Sequence, residues 1–249
     1  MDGTYVIDQA RTGLENMRLD HQMLSHASKH DRVLLRIYKW SEPTQTLGYF
    51  QARSQREQHG ESTRIPSVRR STGGGAIIHH FDWTYSLALP AAALEFKNSQ
   101  LGPSQSIYDL VHDSVVDWLR SLGCSAAKWS EATCKAETCS FLCFERRTVG
   151  DLVLGESKIM GSAQRRRKGA LLQHGSLLLQ RSEFAPSLAG LLESGLNLQS
   201  TDFEAFGECL AQTLEKSLSV KISPSSNLSA ELEIEEFGTY GEDSWEYKR

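Results

Sequence analysis

The chain has 249 residues, 39% of them hydrophobic and 23% charged, a globular composition with length for one large core or one core and a small appendage. A net charge of −4 argues against a nucleic-acid binder, which carries an overall positive field. No basic stretch leads into an apolar run at the N-terminus, and no segment approaches the roughly 18 uninterrupted apolar residues of a membrane helix, so a cytoplasmic location away from membranes is expected.

Thr12-Gly13-Leu14-Glu15 has the form of a capping box, and Leu14, Met17, His21 and Leu24 follow at helical spacing. Val33 to Tyr38 reads as a strand, ended by Trp40-Ser41-Glu42-Pro43 because proline cannot donate into a ladder. Leu47-Gly48-Tyr49-Phe50-Gln51 is another short strand or strand end. Ala76 to His79 and Tyr85 to Leu89 predict two strands joined by a short loop. Ser106 to Asp109 resembles a second capping box, and Ile107, Leu110, Val111, Val115, Trp118, Leu119 and Leu122 make an amphipathic helix stopped by Gly123. Leu152 to Leu154, Ser157 to Met160 and Leu171 to Leu179 predict three strands of one antiparallel meander. Thr201-x-x-Glu204 opens a helix with Phe203, Phe206, Leu210, Leu214 and Leu218 on one face. Ser223 to Ser229 is a polar link to a short acidic helix or turn within Glu231 to Asp243. The fold class expected is α+β, a mixed, mostly antiparallel sheet with helices packed against it.

Three segments have chemical potential. In Arg69-Arg70-Ser71-Thr72-Gly73-Gly74-Gly75, glycines permit close backbone approach and adjacent arginines add charge, so an anion or a carbonyl oxygen would fit there. A surface hairpin with solvated arginines is the plainer reading, and no Gly-Lys-Ser or Gly-Lys-Thr follows to make a P-loop. Gly155 to Gln164 sets Lys158 on an apolar strand between glycines, placed either to hold a developing negative charge or simply to lie over the sheet. Gln173-His174-Gly175-Ser176 is a polar patch inside an apolar run, as suited to a buried hydrogen-bond network as to a site. The five cysteines (Cys124, Cys134, Cys139, Cys143, Cys209) fit reduced thiols better than a disulfide framework. The spacings of Cys134, Cys139 and Cys143 match no common paired zinc-ligand pattern, and no metal is expected.

Together these segments resemble the lipoate–protein ligase and octanoyltransferase family, relatives of the biotin protein ligase catalytic domain. The resemblance runs from Asn16-Met17-x-Leu19-Asp20, through Tyr38-x-Trp40, Leu47 to Gln51 and Arg69 to Ala76. It continues through Lys158-Ile159-x-Gly161-Ser162-Ala163-Gln164 and Gln173 to Leu178, and ends at Ser244-Trp245-Glu246-Tyr247. It implies a single catalytic domain of that fold over residues 1–249, with no C-terminal accessory domain, that attaches an octanoyl or lipoyl group to a lysine of a small acceptor domain. It also implies that Arg69, Arg70, Thr72, Gly73, Gly74 and Gly75, with Gly161, Ser162, Ala163, His174 and Gly175, bind the acyl substrate, and that Lys158 contacts the acyl carbonyl.

Two routes are open. Cys143-Phe144-Glu145 resembles the segment of the cysteine-dependent octanoyltransferases of ligase-like fold, which makes Cys143 the nucleophile, with Lys158 favouring its thiolate and polarising the thioester. Arg147 and Thr148 depart from the proline and serine of that pattern. On this route no cofactor is required, the donor is acyl carrier protein, and the acceptors are lipoyl domains of 2-oxoacid dehydrogenases or the glycine cleavage H-protein. The alternative is a lipoate–protein ligase that uses ATP and Mg to form an acyl-adenylate, with any accessory domain on another polypeptide. A non-catalytic binder of lipoate or lipoyl domains is the reading of another class, and biotin transfer is disfavoured by the Lys-Ile-x-Gly-Ser-Ala segment. The basic run Arg165 to Lys168 is either a solvated loop or a surface that steers acidic carrier and lipoyl domains.

Overall fold

The computed structural model describes residues 1–94, 102–131, 140–228, 232 and 245. Among them the order is β1 (Asp2–Ile7), α1 (Gly13–His30), β2 (Val33–Tyr38), β3 (Thr44–Leu47), β4 (Ser67–Arg69), β5 (Ile77–His79), β6 (Asp82–Leu89), α2 (Pro103–Ser121), β7 (Ala127–Lys128), β8 (Leu152–Leu154), β9 (Ser157–Arg167), β10 (Ala170–Leu178), α3 (Asp202–Leu218) and β11 (Lys221–Pro224). The main sheet has strand order β11-β1-β2-β6-β10-β9-β8-β7, and a smaller one has order β4-β3-β5. In the main sheet β11, β1 and β2 pair parallel and the remaining pairs are antiparallel, the mixed, mostly antiparallel arrangement expected.

Helices cover both faces of the main sheet, and every residue of β2, β6 and β10 is buried. Val33, Leu35 and Ile37 of β2, with Trp83, Tyr85 and Leu87 of β6, pack against Ile107, Val111 and Val115 of α2 and Phe203, Phe206 and Leu210 of α3. On the opposite face Leu34, Ala88 and Leu172 meet Leu19, Met23 and Ala27 of α1. Helix α1 opens as its sequence predicts: the Thr12 hydroxyl accepts from Glu15 N–H while the Glu15 carboxylate accepts from Thr12 N–H.

The other two starts differ from expectation. Helix α2 begins at Pro103, after Gly102, and the Ser106 hydroxyl donates to the Gly102 carbonyl instead of capping. Proline suits a first turn, whose N–H groups have no helical partner. At α3 the Thr201 backbone is already helical and its side chain makes no capping bond; the Asp202 carboxylate accepts from Gln199 N–H at 2.6 Å instead.

The meander is present as β8, β9 and β10, but β9 continues through the basic run to Arg167, and Lys168-Gly169 makes the hairpin turn. Strands β5 and β6 are separated by two residues yet enter different sheets, so the chain changes sheet at His80-Phe81. That crossing puts the small sheet over the α1 side of the main one, where Met17, Tyr38, Trp40 and Val68 form a joint cluster. Among the described residues no helix is long and apolar enough to cross a membrane. The expected acidic C-terminal element, Cys134, Cys139, Ser244, Glu246 and Tyr247 lie outside the described residues.

Candidate active site

A pocket of about 490 Å³, mouth included, opens where the two sheets meet. Met17, Tyr38, Trp40, Ile77, Phe144 and Ala163 give it apolar walls. Cys143, Arg70, Gly74, Gly161, Ser162, His174 and Gly175 also line it, as do Thr46, His79, Thr84 and Ser176; Arg69, Thr72, Gly73, Gly75 and Lys158 are not part of its lining.

Cys143 is brought to the glycine loop by backbone pairing. Ala76 N–H donates to the Phe141 carbonyl at 3.0 Å, and Cys143 N–H donates to the Ala76 carbonyl at 2.7 Å. Two segments far apart in the chain are thus stitched into one wall, and a short 3-10 turn at Cys143-Phe144-Glu145 turns the thiol to the pocket. The Lys158 ammonium lies 3.8 Å from Cys143 Sγ and 2.7 Å from Asp151 Oδ2, in an ion pair with side chains 4% and 2% exposed. Such a buried pair holds position only when its remaining valences are met. Here Tyr108 OH donates to Asp151 Oδ1 at 3.0 Å, and Thr148 donates to Oδ2 from its N–H at 2.7 Å and its hydroxyl at 3.0 Å. Burial first, and then the neighbouring Asp151 charge, push the Tyr108 phenol well up, so it stays a donor.

Gly161 makes room for the lysine. A Cβ there would stand 2.6 Å from Lys158 Cε and 2.9 Å from Nζ, so only glycine lets this ammonium cross the strand toward the thiol. Lys158 and Phe144 also border an adjoining open hollow, which places the lysine between the pocket and the surface.

Both loop arginines are buried and donate mainly to backbone carbonyls. Arg69 Nη1 donates to Gly48, Tyr49 and Gln51 oxygens at 3.0, 3.2 and 2.6 Å, and its Nε to the Trp245 carbonyl at 3.1 Å, while Trp245 Nε1 returns a bond to the Arg69 carbonyl at 3.1 Å. Arg70 donates to the Thr46 carbonyl at 3.0 Å and to the Gly73 and Gly75 carbonyls at 2.8 and 2.7 Å. Burial brings the Arg70 guanidinium down to about 10, with Cys143 pulling up and Arg146 pulling down. The charges therefore shape the loop. Of its three glycines Gly74 alone has a positive φ, 93°, while a Cβ at Gly75 would crowd the Phe141 carbonyl oxygen at 3.0 Å and displace the Arg146 guanidinium.

The polar patch on β10 is a network. His174 spans Asp20 (Nδ1 to Oδ2, 2.8 Å) and Thr72 (Nε2 to Oγ1, 2.6 Å), and Asp20 also accepts from Ser86 at 2.6 Å. Asp20 and Asn16, one turn apart on the buried face of α1, meet Arg36, which pairs with Asn16 Oδ1 at 2.6 Å. Beside it His79 stacks on Trp40 at 3.8 Å and pairs with Asp82 at 2.8 Å; burial lowers its pKa against the pull of that carboxylate. Asp151, Tyr108, His79 and Asp82 carry no spacing that marks them in sequence. Asp20 does have a signal, a carboxylate one turn after Asn16 on a mostly apolar helix face.

A family model for the lipoyl protein ligase A/B catalytic domain matches residues 12–235. The chain belongs to that family. It is 33% identical over 172 residues to an octanoyltransferase LipM of Carboxydothermus hydrogenoformans, covering 68% of this chain and 62% of the relative. It is 28% identical over 268 residues to an octanoyltransferase LipM of Kyrpidia tusciae, covering 94% of both. Among solved structures, a Thermoplasma acidophilum protein with bound lipoic acid superposes with a TM-score of 0.75 over the whole of both chains at 21% identity. A lipoate-protein ligase A bound with ATP gives 0.70 over 99% of both chains, also at 21%. At such identity these superpositions establish the shared fold and no more.

Proposed function

We propose that this family member moves an octanoyl group from acyl carrier protein onto a lysine of a lipoyl domain or H-protein, through a thioester on Cys143. The observation that carries the reading is the Lys158 ammonium 3.8 Å from Cys143 Sγ, at the lining of an apolar pocket and held from behind by Asp151. The kinship with octanoyltransferases over 94% of the chain supports the same acyl group.

In the first half-reaction Cys143 sulfur attacks the octanoyl carbonyl carbon, the carrier's C–S bond breaks, and the proton of the Cys143 thiol ends on the carrier's thiol. In the second, the acceptor lysine's nitrogen attacks the Cys143 thioester, the new C–S bond breaks, and a proton of the amine ends on Cys143. Both steps balance without a co-reactant. Each passes through a tetrahedral oxyanion, and the buried Lys158 ammonium supplies a fixed positive charge beside it. The apolar walls take the alkyl chain. The exposed side chains of Arg166, Arg167 and Lys168 at the β9–β10 hairpin fit attraction of acidic protein substrates.

The test is octanoyl transfer from octanoyl-acyl carrier protein to a lipoyl domain with ATP left out. Wild type should transfer, and Cys143→Ala should be slower by on the order of 10³-fold or more. Transfer that requires ATP, together with lipoate-dependent pyrophosphate exchange, would assign the pocket to a ligase.

A further inference from the structure

Asp151 is held from a direction that the two half-reactions do not explain. Tyr108 and His112 stand one turn apart on α2, with their rings stacked at 4.0 Å and tilted by 30°. Together they grip a single turn of chain. His112, fully buried, sets Nδ1 2.8 Å from the Gly150 carbonyl oxygen, and since a carbonyl only accepts, Nδ1 carries the hydrogen. Burial holds this imidazole's pKa down at about 4, so it grips as a neutral ring. The next residue is taken by the phenol, whose OH donates to Asp151 Oδ1 at 3.0 Å. Gly150 lies against the Tyr108 ring with φ 92°, and a Cβ there would stand 2.9 Å from ring atom Cε1. A left-handed turn without a side chain is what lets α2 come this close.

The two oxygens of Asp151 thus have separate holders. Oδ2 meets the Thr148 N–H and hydroxyl and the Lys158 ammonium, and Oδ1 meets Tyr108, which among the described residues is its one hydrogen-bond donor. A buried acceptor left without a donor costs its full desolvation, so it takes whatever donor stands near. Lys158 is that donor. The point where a Cβ on Gly161 would sit is 2.9 Å from Lys158 Nζ and 3.2 Å from Asp151 Oδ1. Without the phenol's hydrogen, the ammonium is drawn to bridge both carboxylate oxygens. It then has fewer of its three hydrogens for the thiol, which it meets at 3.8 Å, and for the oxyanion.

We infer that Tyr108 is a positioning residue for acyl transfer: by satisfying Asp151 Oδ1 it leaves the Lys158 ammonium directed at Cys143. The inference rests on the roles proposed above for Lys158 and Cys143. Burial, and then the Asp151 charge, keep the phenol protonated, so it orients and exchanges no proton.

Tyr108→Phe removes the hydroxyl and keeps the ring on His112. Alkylation of Cys143 by iodoacetamide at about pH 7, read by peptide mapping, reports the cation beside the sulfur, because the thiolate is the reactive form. Y108F should react about threefold or more slowly than wild type, whereas a merely loosened fold exposes the thiol and speeds the reaction. Loading from octanoyl-acyl carrier protein and transfer to a lipoyl domain should each slow about tenfold, the worth of one oriented hydrogen bond, with both KM values within about twofold. In an Asp151→Asn background, where the carboxylate is gone, Tyr108→Phe should change alkylation by less than about twofold. Alkylation unchanged or faster in Y108F, unchanged rates, a loss confined to KM, or the same drop in alkylation recurring in D151N would overturn the assignment. If wild type forms no octanoyl-enzyme, the Cys143 thioester fails. The alkylation rates, which need no acyl group, then decide the present point alone, a drop in Y108F that vanishes in D151N supporting it and any other pattern overturning it.

Discussion

Keeping His112 neutral in the folded chain ties stability to pH, and the size of the effect follows from a single group. The imidazole has an ordinary pKa of 6.5, and burial lowers it to about 4. Between those values the unfolded chain binds a proton that the folded chain refuses, so stability rises with pH across the interval. The contribution is whole above pH 6.5 and is lost as the pH falls toward the folded pKa. By pH 5 the loss is about 2 kcal/mol, approaching about 3 kcal/mol near pH 4. His112→Gln removes the titration while keeping a polar side chain. Urea unfolding of both proteins near pH 7 and near pH 5 isolates it, because His79 and His80, also lowered by burial, are shared and cancel. Wild type should lose about 2 kcal/mol more than the variant between the two conditions. A difference under about 0.5 kcal/mol would mean that the ring takes up its proton freely when folded.

Gly161→Ala places a methyl 2.6 Å from Lys158 Cε, so the ammonium must move; transfer should fall by about 10²-fold with far-ultraviolet circular dichroism unchanged. Asp151→Asn keeps a hydrogen-bonding side chain beside Tyr108 but strips a buried ammonium of its counter-charge. Chemical denaturation should show a loss of about 3 kcal/mol, and a neutral result would deny the pair its place in the interior. Replacing Arg166, Arg167 and Lys168 by serine should raise the KM for carrier and lipoyl domains at low salt, with the difference fading as salt is added.

Much of this arrangement is legible in the sequence where the chemistry is local. The Thr12–Glu15 box, the apolar stripe of α2 and the meander β8–β10 all follow from short-range pattern, and the glycine loop, Lys158 and Cys143 stand out as motifs. Parallel strands β1 and β11 are not legible, because their pairing joins the two ends of the chain and Pro224 in β11 gives no strand signal. The Arg69-Arg70 pair reads as charge for a ligand. In the fold an irregular loop leaves carbonyls without ladder partners, and the two guanidiniums supply the missing donors. Asp151 escapes notice as a single carboxylate before a strand, since Tyr108, which completes its shell, comes from a helix 43 residues earlier.

The account turns on whether the acyl group rests on the thiol beside Lys158. Intact-mass spectrometry of the protein mixed with octanoyl-acyl carrier protein, before any acceptor is added, tests it directly. Wild type should gain one octanoyl group that hydroxylamine removes, peptide mapping should place it on Cys143, and Cys143→Ala should gain none. An unmodified wild type that still acylates a lipoyl domain, or an adduct that persists in Cys143→Ala, would contradict the thioester and with it the role assigned to the Cys143–Lys158–Asp151 constellation.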